Sequence, residues 1–404
     1  MHVLFVHNNF PAQFGHIARH LVQNKGFECS FVCEHPSADV DGVRRIQYQA
    51  KGGATKATHY CSRTFENATW HAWGVYEAMK AHPEIKPDLI VGHSGFGSTL
   101  WLADLYDRPI INYFEYYYRG HGSDLDYRPE YPANEMSILR SRARNAMILL
   151  DLQTCTRGYS PTNWQRELFP DEYQPKLETI FDGIDTELWH RRDVPRKIAN
   201  RDIPADTKIV TYVSRGFESM RGFDIFMKVA KRICDARSDV VFVVVGSDRV
   251  AYGGDLNHIE EQSFREHVLK QDNYDLSRFI FTGRIPTPDL VNVLSLSDLH
   301  IYLTVPFVLS WSLMNALSVG CTVLASDTAP VQEMIEHEEN GLLAGFADVD
   351  ALTAEAMKVL DDPAAFRHLG QAGMEMIQEH YSLEKKTPQL LDMFERTVNE
   401  ASRS

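Results

Sequence analysis

Short apolar runs alternate with amphipathic stretches along the first half of the chain. Apolar segments of strand length are HVLFVHN, ECSFVCE, DLIVGHS, RPIINYFEY and LETIFDG. Between them, QFGHIARHLVQNKG, WHAWGVYEAMKAH and a stretch from about Glu135 to Asp151 have the spacing of apolar residues that is typical of helices. This alternation predicts a parallel, doubly wound sheet.

The same alternation restarts after a polar stretch from Thr186 to Asp206, which holds two prolines. Further strands are predicted for KIVTYVS, VVFVVVG, RFIFTGR, LHIYLTVPF and CTVLAS, and GFDIFMKVAKRICDAR predicts a helix. We therefore expect an α/β protein with a Rossmann-like domain at 1–190, a second one at 191–382 and a closing helix at 383–404. Ligands of such folds bind at the carboxyl ends of the strands, so we expect a binding cleft between the two sheets.

The composition narrows the class of protein. Of the 404 residues, 44% are hydrophobic and 24% are charged, which is typical of a globular protein. The formal net charge of −14 argues against binding to duplex nucleic acid. The six cysteines are scattered and favour reduced thiols. The N-terminal residues lack the pattern of a signal peptide and no apolar run has the length of a membrane span, which predicts a cytoplasmic protein.

Two arginines flank a loop in VSRGFESMRGF. Arg215 lies where a predicted strand ends, and Arg221 lies where a helix begins near Gly222. Guanidinium groups bind phosphates bidentately, and the free amides of a helix N-terminus attract the same anions. Two solvated surface arginines are the alternative, but their place at a strand end favours a site for a diphosphate.

The segment PFVLSWSLMNALSVG, Pro306–Gly320, holds no charged residue. A helix is predicted to begin at about Trp311, with Ser310 as its N-cap and Ser312 as a second hydroxyl. The free amides of the first turn can hold an anion without any side-chain charge. A simple N-cap on a buried helix explains the same residues, and the two interpretations are compatible.

Polar and aromatic residues also end two strands of the first half. His93 ends DLIVGHS, and the stretch YFEYYYRGHGSD follows the next strand. Its Glu115, Tyr117 and Arg119 are candidates for binding a sugar, because aromatic faces pack on sugar rings and polar groups bond their hydroxyls. A tyrosine-rich packing edge is an equal alternative. Three Asp-x-Asp patterns in an acid-rich chain suggest chance, so no metal site is predicted.

These segments and their order resemble the family-4 retaining glycosyltransferases of the GT-B fold. The resemblance rests on SR, RGF, VVVG, FTGRIP, PFVLSWSLMNALSVGCTVLASDTAPVQEMI and ENGLL in the second half, and on HVLFVHNNFPAQFGHIARHL, PDLIVGHSGFG, SPTNWQRELFP and IFDGIDT in the first. It covers nearly the whole chain. It implies two Rossmann-like domains facing each other across a cleft, and metal-independent transfer of a sugar from a nucleotide diphosphate to a hydroxyl, with retention.

The resemblance also implies roles for single residues. Arg215 and Arg221 correspond to an arginine and a lysine that grip the donor diphosphate, and His93 corresponds to a histidine that contacts the donor sugar. We therefore expect these three residues to be catalytic. The implied donor-binding residues are Gly15 in the first strand-to-helix loop, Gly246, Arg284, Ile285, Leu309, Ser310, Trp311, Ser312 and Asn315. In a protein of this family, we expect Glu115, Tyr117 and Arg119 to bind the acceptor.

The sequence departs from the family at two positions. The family carries two glutamates in the Pro306–Gly320 segment, and Phe307 and Asn315 stand in their places. Asn315 can still hydrogen-bond a ribose diol, whereas Phe307 cannot replace a carboxylate. Either the donor sugar is held differently here, or the protein is weak or inactive as an enzyme.

The sequence analysis therefore predicts a hexosyl- or related glycosyltransferase that uses a nucleotide sugar as co-substrate and no cofactor. Its acceptor would be a glycan, a lipid-linked sugar or a polysaccharide precursor. Arg140 and Arg144 lie on the same side of a predicted helix, so peripheral contact with the inner face of a membrane is one hypothesis. A solvent-exposed helix surface is the preferred interpretation. The alternatives are a nucleotide-sugar epimerase of the same fold and a non-catalytic sugar-nucleotide-binding protein. The oligomeric state, the nucleotide and the sugar stay open.

Overall fold

The computed structural model describes residues 1–37, 39–95 and 99–402. The chain divides into two compact units. Unit 1 consists of Met1–His121, Asn134–Gly183 and the C-terminal stretch from Glu384, and unit 2 consists of Gly122–Ala133 and Ile184–Leu383. Each unit is therefore built from segments that are separated in the sequence.

Unit 1 is built on a parallel sheet. Its strands are β1 (His2–Val6), β2 (Asn9–Phe10), β3 (Glu28–Cys33), β4 (His35–Pro36), β5 (Val43–Gln47), β6 (Leu89–His93), β7 (Ile110–Tyr113), β8 (Arg157–Ser160) and β9 (Leu177–Thr179). The main sheet has the order β5-β3-β1-β6-β7-β8-β9, and β2 pairs with β4 beside it. Its helices are α1 (Gly15–Lys25), α2 (Arg63–Lys80), α3 (Leu102–Leu105), α4 (Glu135–Thr154) and α5 (Asn163–Glu167).

Alternating side chains bury both faces of this sheet. On β1, Val3 and Phe5 belong to one apolar cluster, and Leu4 and Val6 belong to the other. Successive residues of a strand point to opposite faces, and a parallel sheet is covered by helices on both faces. Such strands are apolar throughout, which is why HVLFV was readily recognised.

Unit 2 repeats this architecture. Its strands are β10 (Lys197–Ile198), β11 (Arg201–Asp202), β12 (Lys208–Gly216), β13 (Val240–Ser247), β14 (Phe279–Gly283), β15 (Leu299–Tyr302), β16 (Val323–Ser326) and β17 (Leu342–Ala344). The parallel sheet has the order β14-β13-β12-β15-β16-β17, and β10 and β11 form a separate antiparallel pair. Its helices are α6 (Phe223–Ala236), α7 (Phe264–Lys270), α8 (Thr287–Ser295), α9 (Trp311–Ser318), α10 (Ala329–Gln332), α11 (Val349–Asp361) and α12 (Arg367–Met376).

The last helix, α13 (Leu383–Ala401), returns the chain to unit 1. Its Leu390, Met393 and Phe394 are buried in the apolar cluster that holds Val3 and Phe5. The predicted closing helix extended over residues 403 and 404, which lie outside the described residues. The end of the chain therefore completes the core of the first unit.

The two parallel sheets confirm the predicted α/β class with two Rossmann-like domains. Some boundaries differ from the prediction. The run LHIYLTVPF leaves the sheet after Tyr302, because the amide of Thr304 donates to the hydroxyl of Ser326, at 3.0 Å, instead of to a carbonyl of the ladder. Strand β5 was missed because it is an edge strand whose residues are mostly exposed.

Candidate functional site

The first part of the candidate site comprises the end of β12 and the turn before α6, which we together call the arginine loop (residues 214–222). After β12, Ser219–Arg221 form a 3₁₀ turn, and Gly222 caps α6 with a φ of 65°. A Cβ atom on Gly222 would lie 2.6 Å from Cβ of Leu303. The left-handed conformation and the close approach both require glycine here, which fixes the direction in which the turn presents Arg221.

Arg221 is buried and firmly held. Its Nη1 donates to the hydroxyl of Thr304 at 2.7 Å, and its Nη2 donates to the carbonyl of Val308 at 3.1 Å. The carbonyl of Arg221 itself accepts from the hydroxyl of Tyr212 at 2.7 Å. A guanidinium that is fixed in this way loses little further conformational freedom when it binds an anion.

The second part of the site is the loop after β13, whose Tyr252 lies beside both arginines. Arg215 is exposed. Its Nη1 donates to the hydroxyl of Tyr252 at 3.3 Å, and its guanidinium carbon lies 5.8 Å from the centre of that ring. The guanidinium carbon of Arg221 lies 5.5 Å from the same ring and 5.5 Å from the ring of Phe307. Sequence reasoning missed Tyr252, although it lies in the loop that follows a predicted strand.

The N-terminus of α9 forms the third part of the site. The helix begins at Trp311, and the hydroxyl of Ser310 accepts from the amide of Ser312 at 3.2 Å, which confirms the predicted N-cap. The amide of Ser310 donates to the hydroxyl of Tyr302 at 3.0 Å. Leu309 is buried, whereas Trp311 is 43% exposed.

These three parts enclose a small cavity within unit 2. It is lined by Tyr212, Val213, Ser214, Arg215, Arg221, Tyr252, Tyr302, Leu303, Ser310 and Ser312. The loops come from the carboxyl ends of β13, β12 and β15, which are neighbours in the sheet. The structure thus brings together Arg215, Arg221, Ser310 and Ser312, at the edge of a parallel sheet where ligands bind.

Glu218 holds the loop that carries Tyr252. Its Oε2 accepts hydrogen bonds from the amides of Ala251, Tyr252 and Gly253, at 2.8–3.0 Å. Its Oε1 is buried and has no hydrogen-bond partner among the described residues. Burial raises the pKa of Glu218 above its usual value, while the three amides and Arg221 oppose the shift. Sequence reasoning missed this residue, because a glutamate in a polar loop usually faces solvent.

Phe307 and Asn315, where the resemblance implies glutamates, are both buried. Phe307 packs against Tyr252, with ring centres 5.6 Å apart. The amide oxygen of Asn315 is buried and has no hydrogen-bond partner among the described residues. A buried amide oxygen without a donor is unfavourable by about 1–3 kcal/mol, so Asn315 is a candidate for accepting a hydrogen bond from a ligand.

The other predicted donor-binding residues of unit 2 have different surroundings. Gly246 has a φ of 153°, and a Cβ atom there would lie 2.3 Å from the carbonyl oxygen of Ser214. The protein's own backbone therefore requires this glycine. Arg284 is exposed just after β14, and Ile285 packs against the apolar core. None of the three lines the cavity described above.

In unit 1, aromatic and imidazole rings gather at the carboxyl ends of adjacent strands. The rings of His7 and His93 are 5.2 Å apart, and the ring of Tyr113 is 4.9 Å from that of His93. Nδ1 of His93 lies 2.8 Å from the carbonyl of Ser94, an acceptor, so this nitrogen carries the proton. Burial lowers the pKa of His93 to about 3 and that of His7 to about 4, so both rings are neutral at pH 7. His7 was missed, although it directly follows β1.

A buried carboxyl group lies behind this cluster. Asp151 of α4 accepts from the hydroxyls of Ser94 at 2.8 Å and Thr99 at 3.3 Å. Burial raises its pKa to about 7, against the opposing effect of these hydrogen bonds. Phe96 and Gly97, the last residues of the GHSGFG segment beside it, lie outside the described residues.

The predicted acceptor residues make packing contacts within unit 1. The ring of Tyr117 lies 5.6 Å from that of Phe169, and Arg119 donates to the carbonyl of Leu168 at 3.0 Å. The carbonyl of Glu115 accepts from Gln165. Their role in binding an acceptor stays a prediction. The role of Gly15 in binding the donor also stays a prediction; a Cβ atom there would lie 2.7 Å from Cβ of Pro11.

Three further features bear on the expected partners. Arg140 donates to the hydroxyl of Tyr60 at 3.2 Å, and Arg144 donates to that of Tyr118 at 2.6 Å, so both side chains are engaged within unit 1. Across residues 1–37, 39–95 and 99–402, no three His, Cys, Asp or Glu side chains are grouped as metal ligands. Within the same ranges, every helix is too short or too polar to cross a bilayer.

Solved structures with the same architecture identify the fold as GT-B. Sucrose-phosphate synthase from Thermosynechococcus elongatus matches with a TM-score of 0.76 at 19% identity, over 99% of this chain and 100% of that one. HepE from Anabaena, solved in complex with UDP and glucose, matches with a TM-score of 0.72 at 13% identity, over 98% of this chain and 100% of that one. At these identities, the likeness shows the fold alone.

The sequence identifies the family. Residues 25–189 match the description "Glycosyl transferase family 4 group", and residues 193–376 match "Glycosyl transferases group 1". The chain therefore belongs to the glycosyltransferases that combine these two domains. N-acetyl-alpha-D-glucosaminyl L-malate synthase of Bacillus anthracis is 22% identical over 212 residues, which is 52% of this chain and 51% of that protein. The chain spans about half the length of the curated relatives it matches.

Proposed function

We propose that this protein is a metal-independent, retaining glycosyltransferase that transfers a sugar, such as a hexose, from a nucleoside diphosphate to a hydroxyl group. The observation that carries the proposal is the cavity of unit 2, where Arg215, Arg221 and the N-terminus of α9 meet. Two guanidinium groups and a helix N-terminus together match the charge and the hydrogen-bonding needs of a diphosphate. The family match supports a transferase over the epimerase and the non-catalytic alternative.

The same groups would promote the reaction by stabilising the leaving group. When the bond between the sugar and the phosphate breaks, negative charge develops on the diphosphate. Arg221 is already fixed by Thr304 and Val308, so it needs no reorganisation to receive this charge. Arg215 is exposed and would close onto the diphosphate when the donor binds.

His93 would orient a sugar hydroxyl in our proposal. Because its Nδ1 donates to the carbonyl of Ser94, its Nε2 is the acceptor nitrogen of the ring and would face the proton of a sugar hydroxyl. With a pKa of about 3, the ring is a poor base and stays neutral throughout the reaction. We therefore assign it to binding and orientation rather than to proton transfer.

The donor's diphosphate would provide most of the binding energy, because the acidic residues of the family are absent. Phe307 offers an apolar ring where the family has a carboxylate, and Asn315 offers a neutral amide where the family has a second one. UDP was bound in the solved structure of HepE, which supports testing uridine nucleotides first. The acceptor would be a hydroxyl of a glycan, a lipid-linked sugar or a polysaccharide precursor.

A thermal-shift screen tests the proposal. UDP, GDP, ADP, dTDP and their common sugars would be compared, and the donor that raises the melting temperature most would then be used with an isotopic label on its sugar. We expect transfer of the label to a hydroxyl acceptor, with release of the nucleoside diphosphate. No shift with any nucleotide, or conversion of the sugar without transfer, would contradict the proposal.

A further inference from the structure

A short segment of the first half of the chain belongs to unit 2. Residues 122–133, which we call the docking segment, lie between β7 and α4 of unit 1 in the sequence. Tyr131 packs on Phe264, with ring centres 5.4 Å apart, and Tyr127 packs on Phe346 at 5.7 Å. Neither the motifs nor the resemblance assigned a role to this segment.

Arg128 is the centre of the docking segment. The residue is only 5% exposed, and its guanidinium carbon lies 5.2 Å from each of the rings of Tyr131 and Phe346. Nη2 donates to Oδ2 of Asp224 at 2.7 Å, and Nη1 lies 3.3 Å from Oδ1. Nε donates to Glu130 at 3.2 Å. The side chain is thus enclosed and paired on all sides.

One further bond connects Arg128 with the arginine loop. Nη1 donates to the carbonyl of Ser219 at 2.7 Å. The same carbonyl accepts from the amide of Gly222 at 2.9 Å and so closes the 3₁₀ turn that presents Arg221. Asp224, the second partner of Arg128, lies in the first turn of α6, directly after this turn. Arg128 therefore holds the turn at both of its ends.

We propose that Arg128 is a positioning residue that sets the place of Arg221 and so the grip on the donor diphosphate. This inference rests on the function proposed above. Arg128 does not line the cavity and would not touch the diphosphate. It acts through the carbonyl of Ser219 and by neutralising Asp224, whose carboxylate would otherwise lower the positive potential near Arg221.

The experiment compares Arg128→Met and Arg128→Lys with Arg278→Met. Arg278 is a matched control, because it donates to backbone carbonyls of Cys234, Arg237 and Val240 in unit 2. It directly precedes β14, so it lies at the amino edge of the parallel sheet, opposite to the cavity. UDP binding is measured by calorimetry, melting temperature by fluorescence, and amide exchange of residues 219–223 by mass spectrometry.

We expect Arg128→Met to raise the dissociation constant for UDP about tenfold and to speed amide exchange at Gly222 and Phe223. Arg128→Lys keeps the charge beside Asp224 and should recover about half of this loss on a logarithmic scale. Arg278→Met should lower the melting temperature and leave both UDP affinity and exchange at 219–223 unchanged. In turnover, donor KM should rise more than kcat falls in Arg128→Lys.

Equal UDP affinity in wild type and both Arg128 variants would overturn the inference, and so would an equal loss in Arg278→Met. If Arg128→Met does not fold, the Lys variant decides by the same criteria. If the wild-type protein binds no UDP, the proposal that the donor site takes a uridine nucleotide is rejected. Amide exchange then still decides whether Arg128 orders the turn. Unchanged exchange at 219–223 would then reject the positioning role.

Discussion

Replacing Arg221 by lysine tests both its role in folding and its role in binding. The guanidinium holds Thr304 and Val308 with two different nitrogens, at 2.7 and 3.1 Å. A lysine ammonium keeps the charge but lacks the planar fork, so we expect it to satisfy one of these two acceptors. One hydrogen bond to a charged group is worth about 1.5–3 kcal/mol, so the free energy of unfolding should fall by about that amount.

The same loss of the fork should weaken binding of a nucleoside diphosphate. A bidentate contact that becomes monodentate also loses about one charged hydrogen bond, which corresponds to a roughly 10- to 150-fold rise in the dissociation constant. Arg215→Lys should differ, because Arg215 is exposed and its hydrogen bond to the hydroxyl of Tyr252 is long, at 3.3 Å. We expect it to weaken UDP binding while changing the unfolding free energy by less than about 0.5 kcal/mol.

Calorimetric titration with UDP gives the dissociation constant of each variant. Urea unfolding of the same preparation gives its free energy of unfolding. Arg278→Lys is the control, since it should lower stability and leave UDP affinity unchanged. The reasoning is refuted if Arg221→Lys binds UDP as tightly as the wild type, or if Arg278→Lys weakens UDP binding as much as Arg221→Lys does. The first result would reject a bidentate contact of Arg221 with the diphosphate, and the second would mean that the loss of affinity follows from lowered stability.

Three further outcomes are expected. Asn315→Leu should raise the unfolding free energy by about 1 kcal/mol, because it removes a buried amide oxygen that has no partner among the described residues. The same variant should bind the nucleotide more weakly. A stable variant with unchanged affinity would exclude Asn315 from the site. Asp151 has a folded pKa of about 7 and an ordinary value of 3.8, so its contribution to stability is full below pH 4 and is lost as the pH rises to 7. Urea unfolding should therefore show Asp151→Asn gaining roughly 3–4 kcal/mol relative to the wild type between pH 4 and 7, and a constant difference would reject the raised pKa. The lowered pKa values of His7 and His93 affect the stability of the wild type and of Asp151→Asn equally, so their contributions cancel in this comparison. Transfer activity should survive EDTA, and full loss with rescue by manganese would reject the metal-independent mechanism.

Local sequence patterns were sufficient for most of the elements and for part of the site. The N-cap at Ser310 and the turn ending at Gly222 depend on neighbouring residues, so the sequence pattern predicts them. The burial of both sheets follows from continuous apolar strands such as VVFVVVG. These features need no knowledge of which distant residues meet.

The remaining part of the site depends on partners that are distant in the sequence. Glu218 meets the amide of Tyr252 34 positions later, and Arg128 meets Asp224 across 96 positions. A lone glutamate or arginine in a polar stretch has no local signal that distinguishes such a partner from solvent. His7 and His93 come together only because β1 and β6 are neighbours in the sheet. Topology, rather than motif, creates these contacts.

A structure of the protein crystallised with UDP, or with the nucleotide that the thermal-shift screen selects, tests the central claim most directly. Our account predicts that the diphosphate lies within hydrogen-bond distance of Arg215, Arg221 and the first-turn amides of α9. It also predicts that the oxygen of Asn315 acquires a donor. A nucleotide bound elsewhere, or a diphosphate that contacts neither arginine, would contradict the account.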